Sequence, residues 1–99
     1  MIKRGDYFAL KIKGDSMSPR ICHNDIVIIR KQEYCDNGDI CAVMINGDNA
    51  TLKQVRKASD GITLVPFNEE YKPMFYNRKQ VQELPIKILG KVVEGRYSF

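Results

Sequence analysis

The sequence has few of the residues that most catalytic and metal sites use. It contains one histidine, His23, and three cysteines, which never form a C-x-x-C pair. A Ser-His-Asp triad is excluded because His23 has no plausible partners for one. An odd number of cysteines in this spacing indicates neither a disulfide framework nor a zinc site, so buried free thiols are the simplest interpretation. We therefore predict no metal and no cofactor.

Long apolar runs and basic clusters are also missing. No run approaches the ~20 apolar residues of a membrane-spanning helix, and the first residues lack the apolar core of a signal peptide. We therefore expect a cytoplasmic protein with no membrane contact. The formal net charge is +4, but the sixteen Lys and Arg alternate with acidic residues. Such dispersed charge disfavours direct DNA binding by this segment, and an oligonucleotide-binding barrel for the same reason.

No window of the sequence shows sustained 3.6-residue periodicity. Short β-prone runs are instead separated by turn signals roughly every 8–12 residues, which is typical of an all-β, mostly antiparallel domain. A length of 99 residues with 43% hydrophobic content is that of a single domain, 1–99. The predicted strands are 7–12, 26–29, 39–45, 50–56, 62–66, 74–76 and 86–93.

Three of these predicted strands carry specific expectations. Four consecutive β-branched residues at 26–29 predict burial on both faces of that strand. The turn sequence Asn46-Gly47-Asp48-Asn49 predicts a hairpin and places Lys53 on its returning arm. Gly90, inside the last strand, is expected to mark a bulge or a close backbone approach.

A small polar loop, Gly14-Asp15-Ser16-Met17-Ser18-Pro19, follows the first strand and carries a candidate nucleophile. A serine hydroxyl needs a base at neutral pH, and with no usable histidine the candidate base for Ser16 is Lys53. Lysine can accept a proton only if burial lowers its pKa. The backbone N–H groups of Ser16 and Met17 are candidates to stabilise an oxyanion. The alternative is that the loop is an ordinary turn and Lys53 a solvated strand residue.

Two better-known serine motifs do not fit the same residues. The α/β-hydrolase elbow requires G-x-S-x-G, whereas the chain reads Gly14-Asp15-Ser16-Met17-Ser18. The β-lactamase motif requires S-x-x-K, whereas Pro19 stands three residues after the serine. Both classes are therefore excluded.

The loop Gly14-Asp15-Ser16-Met17 resembles the active-site loop of the self-cleaving repressors typified by the LexA repressor and lambda-type phage repressors, a family that also includes UmuD-like polymerase subunits. Asn24 stands where this family usually has glycine. Further fragments resemble the family in the same order: Asn24-Asp25-Ile26-Val27-Ile28-Ile29, Asn37-Gly38-Asp39-Ile40-Cys41-Ala42-Val43, Ala50-Thr51-Leu52-Lys53, Leu64-Val65-Pro66-Phe67-Asn68 with Tyr71-Lys72-Pro73, and Ile88-Leu89-Gly90-Lys91-Val92-Val93.

The resemblance implies a LexA/signal-peptidase-like β domain, with 1–99 as one S24-like C-terminal domain. In it, Ser16 attacks a peptide bond of its own polypeptide while neutral Lys53 accepts the serine proton. It also implies a homodimer whose contact with operator DNA runs through a separate helix-turn-helix domain. In many members a RecA filament stimulates cleavage in the SOS response to DNA damage, and others respond to antirepressor proteins. The alternatives are a catalytically silent dimerisation and signal-sensing domain, or a UmuD-like polymerase subunit.

Part of the family pattern is missing from the sequence. The family's scissile bond, usually Ala-Gly or Cys-Gly, precedes the serine, and neither dipeptide occurs here. We therefore expect the catalytic and dimerising portion without its cleavage segment and DNA-binding domain. Signal peptidases share the S-M-x-P loop but carry an anchoring helix of about 20 apolar residues, which this sequence lacks. Tyr71 is expected to pack a loop. Asp15 is expected to cap a turn, and the alternative is that it helps to orient the serine loop.

Overall fold

The computed structural model describes residues 6–96, which form one antiparallel sheet and a short helix. The prediction of an all-β, mostly antiparallel fold is confirmed. No helix within the described range is long and apolar enough to cross a membrane. The elements are β1 (Tyr7–Lys11), β2 (Ile26–Lys31), β3 (Ile40–Ile45), β4 (Thr51–Ala58), β5 (Gly61–Val65), β6 (Met74–Asn77), α1 (Arg78–Glu83) and β7 (Ile86–Arg96).

The strand order in the sheet is β1-β2-β7-β3-β4-β5-β6. The last strand in the chain, β7, therefore lies between the β1–β2 pair and the β3–β6 meander and joins them by backbone hydrogen bonds on both sides. The serine loop follows β1 on one side of this junction, and Lys53 lies on β4 on the other side. The relative position of these two residues consequently depends on the packing of both halves.

Two apolar clusters form the core. The first consists of Ile12, Met17, Ile21, Val27, Ile29, Ala42 and Leu52. The second consists of Cys35, Cys41, Val43, Val55, Leu64, Tyr76 and Ile86. Burial of each large side chain contributes about 1.5–3 kcal/mol. Because strand side chains alternate, β4 supplies Leu52 to the first cluster and Val55 to the second, and Lys53 shares the face of Val55.

The prediction that 26–29 is buried on both faces is wrong for one face. Val27 and Ile29 are buried in the first cluster, whereas Ile26 is 38% exposed and Ile28 is only partly covered. Successive side chains of a strand point to opposite faces, and β2 packs fully on one of them. A run of branched residues thus predicts a strand but not the number of its covered faces.

The hairpin that carries Lys53 forms as predicted between β3 and β4. Asn46 and Gly47 have φ values of 53° and 75°, the left-handed region that a tight hairpin turn requires at both central residues. The pairing places Cys41 opposite Lys53. Turn chemistry and register therefore fix where the lysine stands along β4.

Gly90 combines the two features predicted for it. The register of β3 against β7 shifts where Ala42 pairs with Gly90 and Val43 pairs with Ile88, which leaves an extra residue on β7. A Cβ on Gly90 would lie 2.3 Å from the backbone oxygen of Arg30 on β2. The bulge and the close approach occur together because β7 is pressed between two neighbouring strands.

Helix α1 was not predicted. It begins with a capping box in which the Asn77 side chain accepts the Gln80 N–H at 2.8 Å and the Gln80 side chain accepts the Asn77 N–H at 2.9 Å. No residue of α1 is fully buried. A helix of six residues is too short to show an apolar period, and its sequence signal is the Asn-x-x-Gln spacing alone.

Candidate active site

The serine loop, residues 14–19, is anchored by a methionine. Met17 is only 2% exposed and packs in the first cluster. Within the segment, Ser18 N–H donates to Asp15 O at 3.1 Å and Ile21 N–H donates to Met17 O at 3.0 Å. Because its neighbour is fixed in the core, Ser16 is held where the loop meets the sheet.

His23 holds the beginning of the loop. The backbone N–H of Gly14 donates to His23 Nδ1 at 2.9 Å. The only histidine therefore has a structural contact with the serine loop, a role that the sequence did not indicate.

A second segment, residues 67–71 after β5, crosses the loop on the other side, and we call it the strap. Asn68 N–H donates to Ser16 O at 3.0 Å, and the Asn68 side-chain amide donates to Asp15 O at 2.9 Å. The Tyr71 hydroxyl donates to Asp15 Oδ1 at 2.5 Å. Tyr71 thus contacts the serine loop, as predicted, and does so through a hydrogen bond. The Asp15 side chain accepts this hydrogen bond from the strap and does not cap its own turn.

The structure brings the predicted nucleophile and base together. Lys53 Nζ lies 3.0 Å from Ser16 Oγ, although the two residues are 37 positions apart. Nζ also lies 2.8 Å from Thr51 Oγ1 and 3.0 Å from the Leu52 carbonyl oxygen. Burial lowers the pKa of Lys53, because desolvation penalises the charged ammonium.

These three contacts orient the amine in both protonation states. The ammonium has three N–H donors for three acceptors. The neutral amine can donate to Thr51 Oγ1 and Leu52 O, which leaves its lone pair to accept the Ser16 hydroxyl proton. Thr51 and the β4 backbone thus direct the Lys53 amine towards the Ser16 hydroxyl.

The backbone around the serine has free donors. Within residues 6–96, neither Ser16 N–H nor Met17 N–H has an acceptor in the protein. Two adjacent N–H groups beside the Ser16 hydroxyl are suited to hydrogen-bond a developing oxyanion.

A cleft of about 560 Å³ opens beside these groups. Ser16 and Lys53 line it, together with the apolar side chains of Ile45, Leu64 and Met74 and the polar side chains of Asp15, Thr51, Tyr71 and Lys72. This volume is within the usual range for small binding pockets, and its lining combines apolar and polar side chains. The cleft is therefore large enough for a short peptide segment. In the described part of the chain, no group of three or more His, Cys, Asp and Glu side chains is arranged to hold a metal ion.

The family model described as Peptidase S24-like matches residues 1–93. The chain belongs to the Peptidase S24-like family. A LexA repressor of Thermotoga maritima is 44% identical over 89 residues, which cover 89% of this chain and 42% of the relative. The LexA repressor of Pseudothermotoga lettingae is 41% identical over 95 residues, 94% of this chain and 45% of the relative. The LexA repressor of Cereibacter sphaeroides is 40% identical over 91 residues, which cover 91% of this chain and 38% of the relative.

The resemblance predicted from the sequence is confirmed by this membership. The chain spans less than half the length of these curated relatives. The similarity therefore concerns only the Peptidase S24-like segment of these LexA repressors. The activity and partners of a whole repressor are proposals for this chain.

Sequence reasoning missed several residues of this Peptidase S24-like site. Thr51 could have been found, because residues two apart on a strand share a face and Thr51 precedes Lys53 by two. Asn68 was seen only as part of a motif. Its contacts with the serine loop join residues more than 50 positions apart in the chain, as its bond to Asp15 spans 53. No local pattern reports such a contact.

Proposed function

We propose that this chain is the peptidase domain of a LexA-like repressor, with Ser16 as nucleophile and Lys53 as general base. The observation that carries the proposal is the 3.0 Å separation of Lys53 Nζ and Ser16 Oγ. It is supported by the burial that lowers the pKa of Lys53 and by membership of the Peptidase S24-like family. A lysine activates a serine in this way only as the neutral amine.

The proposed reaction proceeds through an acyl-enzyme. Ser16 Oγ attacks the carbonyl carbon of the scissile bond while its proton passes to Lys53 Nζ. The carbonyl oxygen becomes an oxyanion, which Met17 N–H, together with Ser16 N–H, is placed to stabilise. The intermediate collapses, and the leaving amine takes the proton from Lys53. Water then attacks the ester, with Lys53 again accepting a proton, and Ser16 is released.

The biological setting is proposed from the names of the relatives, which are LexA repressors. In this setting, the cleaved bond belongs to the repressor polypeptide, and operator DNA is bound by a separate helix-turn-helix domain in the cytoplasm. Cleavage stimulated by a RecA filament would then relieve repression in the SOS response. An antirepressor protein is the alternative inducer.

The nucleophile can be tested without knowing the substrate, by reaction with an alkyl fluorophosphonate. Ser16 Oγ forms a bond to phosphorus, the P–F bond breaks with loss of fluoride, and Lys53 takes the serine proton. We expect one covalent adduct by intact-protein mass spectrometry, located on Ser16 by peptide mapping. Ser18, in the same loop, is the internal control and should stay unmodified. An adduct spread over several serines, or no adduct, would contradict the proposed nucleophile.

A dimerisation module is the second candidate function, and the edge of the sheet favours it. β6 ends the strand order, and its outer edge is unpaired among the described residues. Met74 and Phe75 on this strand are both at least half exposed. Exposed strand edges with apolar side chains pair readily with another chain.

The dimer can be tested by sedimentation velocity over about 1–100 µM, the range of useful weak self-association. We expect the weight-average sedimentation coefficient to rise with concentration, equally in wild type and Ser16→Ala. A pure monomer throughout this range would contradict dimerisation. Dimerisation without any Ser16 adduct would favour the catalytically silent alternative.

A further inference from the structure

We propose that Tyr71 and Asp15 are positioning residues that hold the Ser16 hydroxyl in register with Lys53, an inference that rests on the peptidase function proposed above. The two residues lie 56 positions apart and join the strap to the serine loop. The Tyr71–Asp15 hydrogen bond joins two side chains, whereas both Asn68 hydrogen bonds to the loop end on backbone oxygens.

Few structural elements connect Lys53 to Ser16 through the strap. Lys53 lies on β4, and β4 pairs with β5 so that Gln54 is opposite Val65. The strap begins two residues after Val65. In the strap, Asn68 donates to the backbone oxygens of Asp15 and Ser16, and Tyr71 donates to the Asp15 side chain. The separation of Nζ and Oγ therefore depends on the contacts of β4, β5, the strap and the loop, in addition to the packing of the two halves through β7.

The chemistry of the Tyr71–Asp15 bond suits this role. A phenol that donates to a carboxylate makes a charge-assisted hydrogen bond, which is shorter and stronger than a neutral one. The hydrogen bond to Asp15, followed by the Asp15 charge, raises the pKa of Tyr71. Glu70 acts in the same direction. Both effects favour the protonated phenol, which is the form that donates to Asp15.

Other contacts hold the strap against the loop in addition to the Tyr71–Asp15 hydrogen bond. Arg20, just beyond the loop, places its guanidinium carbon 5.0 Å from the centre of the Phe67 ring, which is a cation–π contact. Phe67 and Asn68 therefore keep the strap on the loop without Tyr71. Tyr71 is 46% exposed, so the loss of its hydroxyl removes little packing. We expect removal of the Tyr71 hydroxyl to loosen the loop around the Asp15 carboxylate and to leave the fold intact.

The experiment compares the rate of fluorophosphonate labelling of Ser16 in four variants. Tyr71→Phe is expected to lower the rate about tenfold, because small misplacements of reacting groups cost up to about a hundredfold. Asp15→Ala should lower it equally, and the double variant should lose no more than either single one, since the pair acts as a unit. Asp15→Asn retains an oxygen that accepts from the tyrosine and should recover most of the wild-type rate.

Controls separate positioning from a general loosening of the fold. Tyr34→Phe, which alters an exposed tyrosine outside the strap, should label at the wild-type rate. Melting temperatures of all variants should stay within about 2 °C of the wild-type value. The pH at which labelling is half-maximal should not change in Tyr71→Phe, because the pKa of Lys53 is set by its burial. A loosened core would rehydrate Lys53 and move that pH upward.

Each outcome is decisive. A wild-type labelling rate in Tyr71→Phe, or losses that multiply in the double variant, would overturn the positioning role while the peptidase proposal stands. No recovery in Asp15→Asn would likewise overturn it. A wild-type protein that does not label at Ser16 would overturn both proposals.

Discussion

Replacing Lys53 by methionine is expected to slow fluorophosphonate labelling of Ser16 by about 100-fold or more near neutral pH, the usual contribution of a general base. Methionine has similar length but no proton acceptor of comparable basicity. Because Nζ lies 3.0 Å from Ser16 Oγ, no intervening group relays the proton in wild type. The measurement is the pseudo-first-order rate of adduct formation by intact-protein mass spectrometry.

The pH dependence of the labelling rate is an independent test of the role of Lys53. In the proposed mechanism the active form of Lys53 is the neutral amine, and burial lowers its pKa below the ordinary 10.5. The wild-type rate should therefore rise as pH increases through the region below 10.5, and level off where Lys53 is fully neutral. Lys53→Met should lack this rise.

Lys57→Met is the matched control for this substitution. Lys57 lies on the same strand and the same face, and its Nζ donates to Cys35 O at 2.8 Å, away from the serine. Its loss removes one positive charge from β4 but no group at Ser16, so labelling should change by less than about threefold, a small electrostatic effect. A Lys53→Met rate equal to that of Lys57→Met would rule out the lysine as the base.

The proposed nucleophile and base, and the expectation that they meet in space, could be obtained from the sequence, but most of the contacts that hold them together could not. A turn motif and a hairpin signal are local, so they identify the serine loop and place Lys53 on a returning strand. The hydrogen bonds of Thr51, Asn68 and Tyr71 depend on which strands neighbour each other and on how connections cross, and these are long-range facts. For the same reason the resemblance suggested the catalytic roles and included the strap as a motif, but did not indicate the hydrogen bonds between the strap and the serine loop.

The fold shows a similar boundary between local and tertiary information. Strand positions and the bulge at Gly90 follow from residue types that act locally. The exposed face of β2 and helix α1 do not. Ile26 is only partly covered by the elements of residues 6–96, and α1 is too short to show a helical period. Burial on a given face is decided by neighbours in space.

Gly90→Ala is expected to destabilise the domain by about 3 kcal/mol, the upper part of the range for overpacked positions. A Cβ at this position would meet Arg30 O at 2.3 Å and the Ile29 side chain at 2.5 Å. The first obstacle is a backbone carbonyl of the neighbouring strand, which cannot rotate away. Relief requires β2 and β7 to separate, and that breaks ladder hydrogen bonds. The measurement is the free energy of unfolding from urea denaturation.

Gly95→Ala on the same strand is the control, because a Cβ there meets no atom within 4 Å. We expect it to change the free energy of unfolding by no more than about 0.5 kcal/mol, as for ordinary surface positions. Equal stabilities of the two variants would show that β7 relaxes without cost. Because β7 joins the half that carries Ser16 to the half that carries Lys53, Gly90→Ala should also slow Ser16 labelling relative to Gly95→Ala under conditions where both are folded. The position of one glycine in the central strand thus bears on the distance between nucleophile and base.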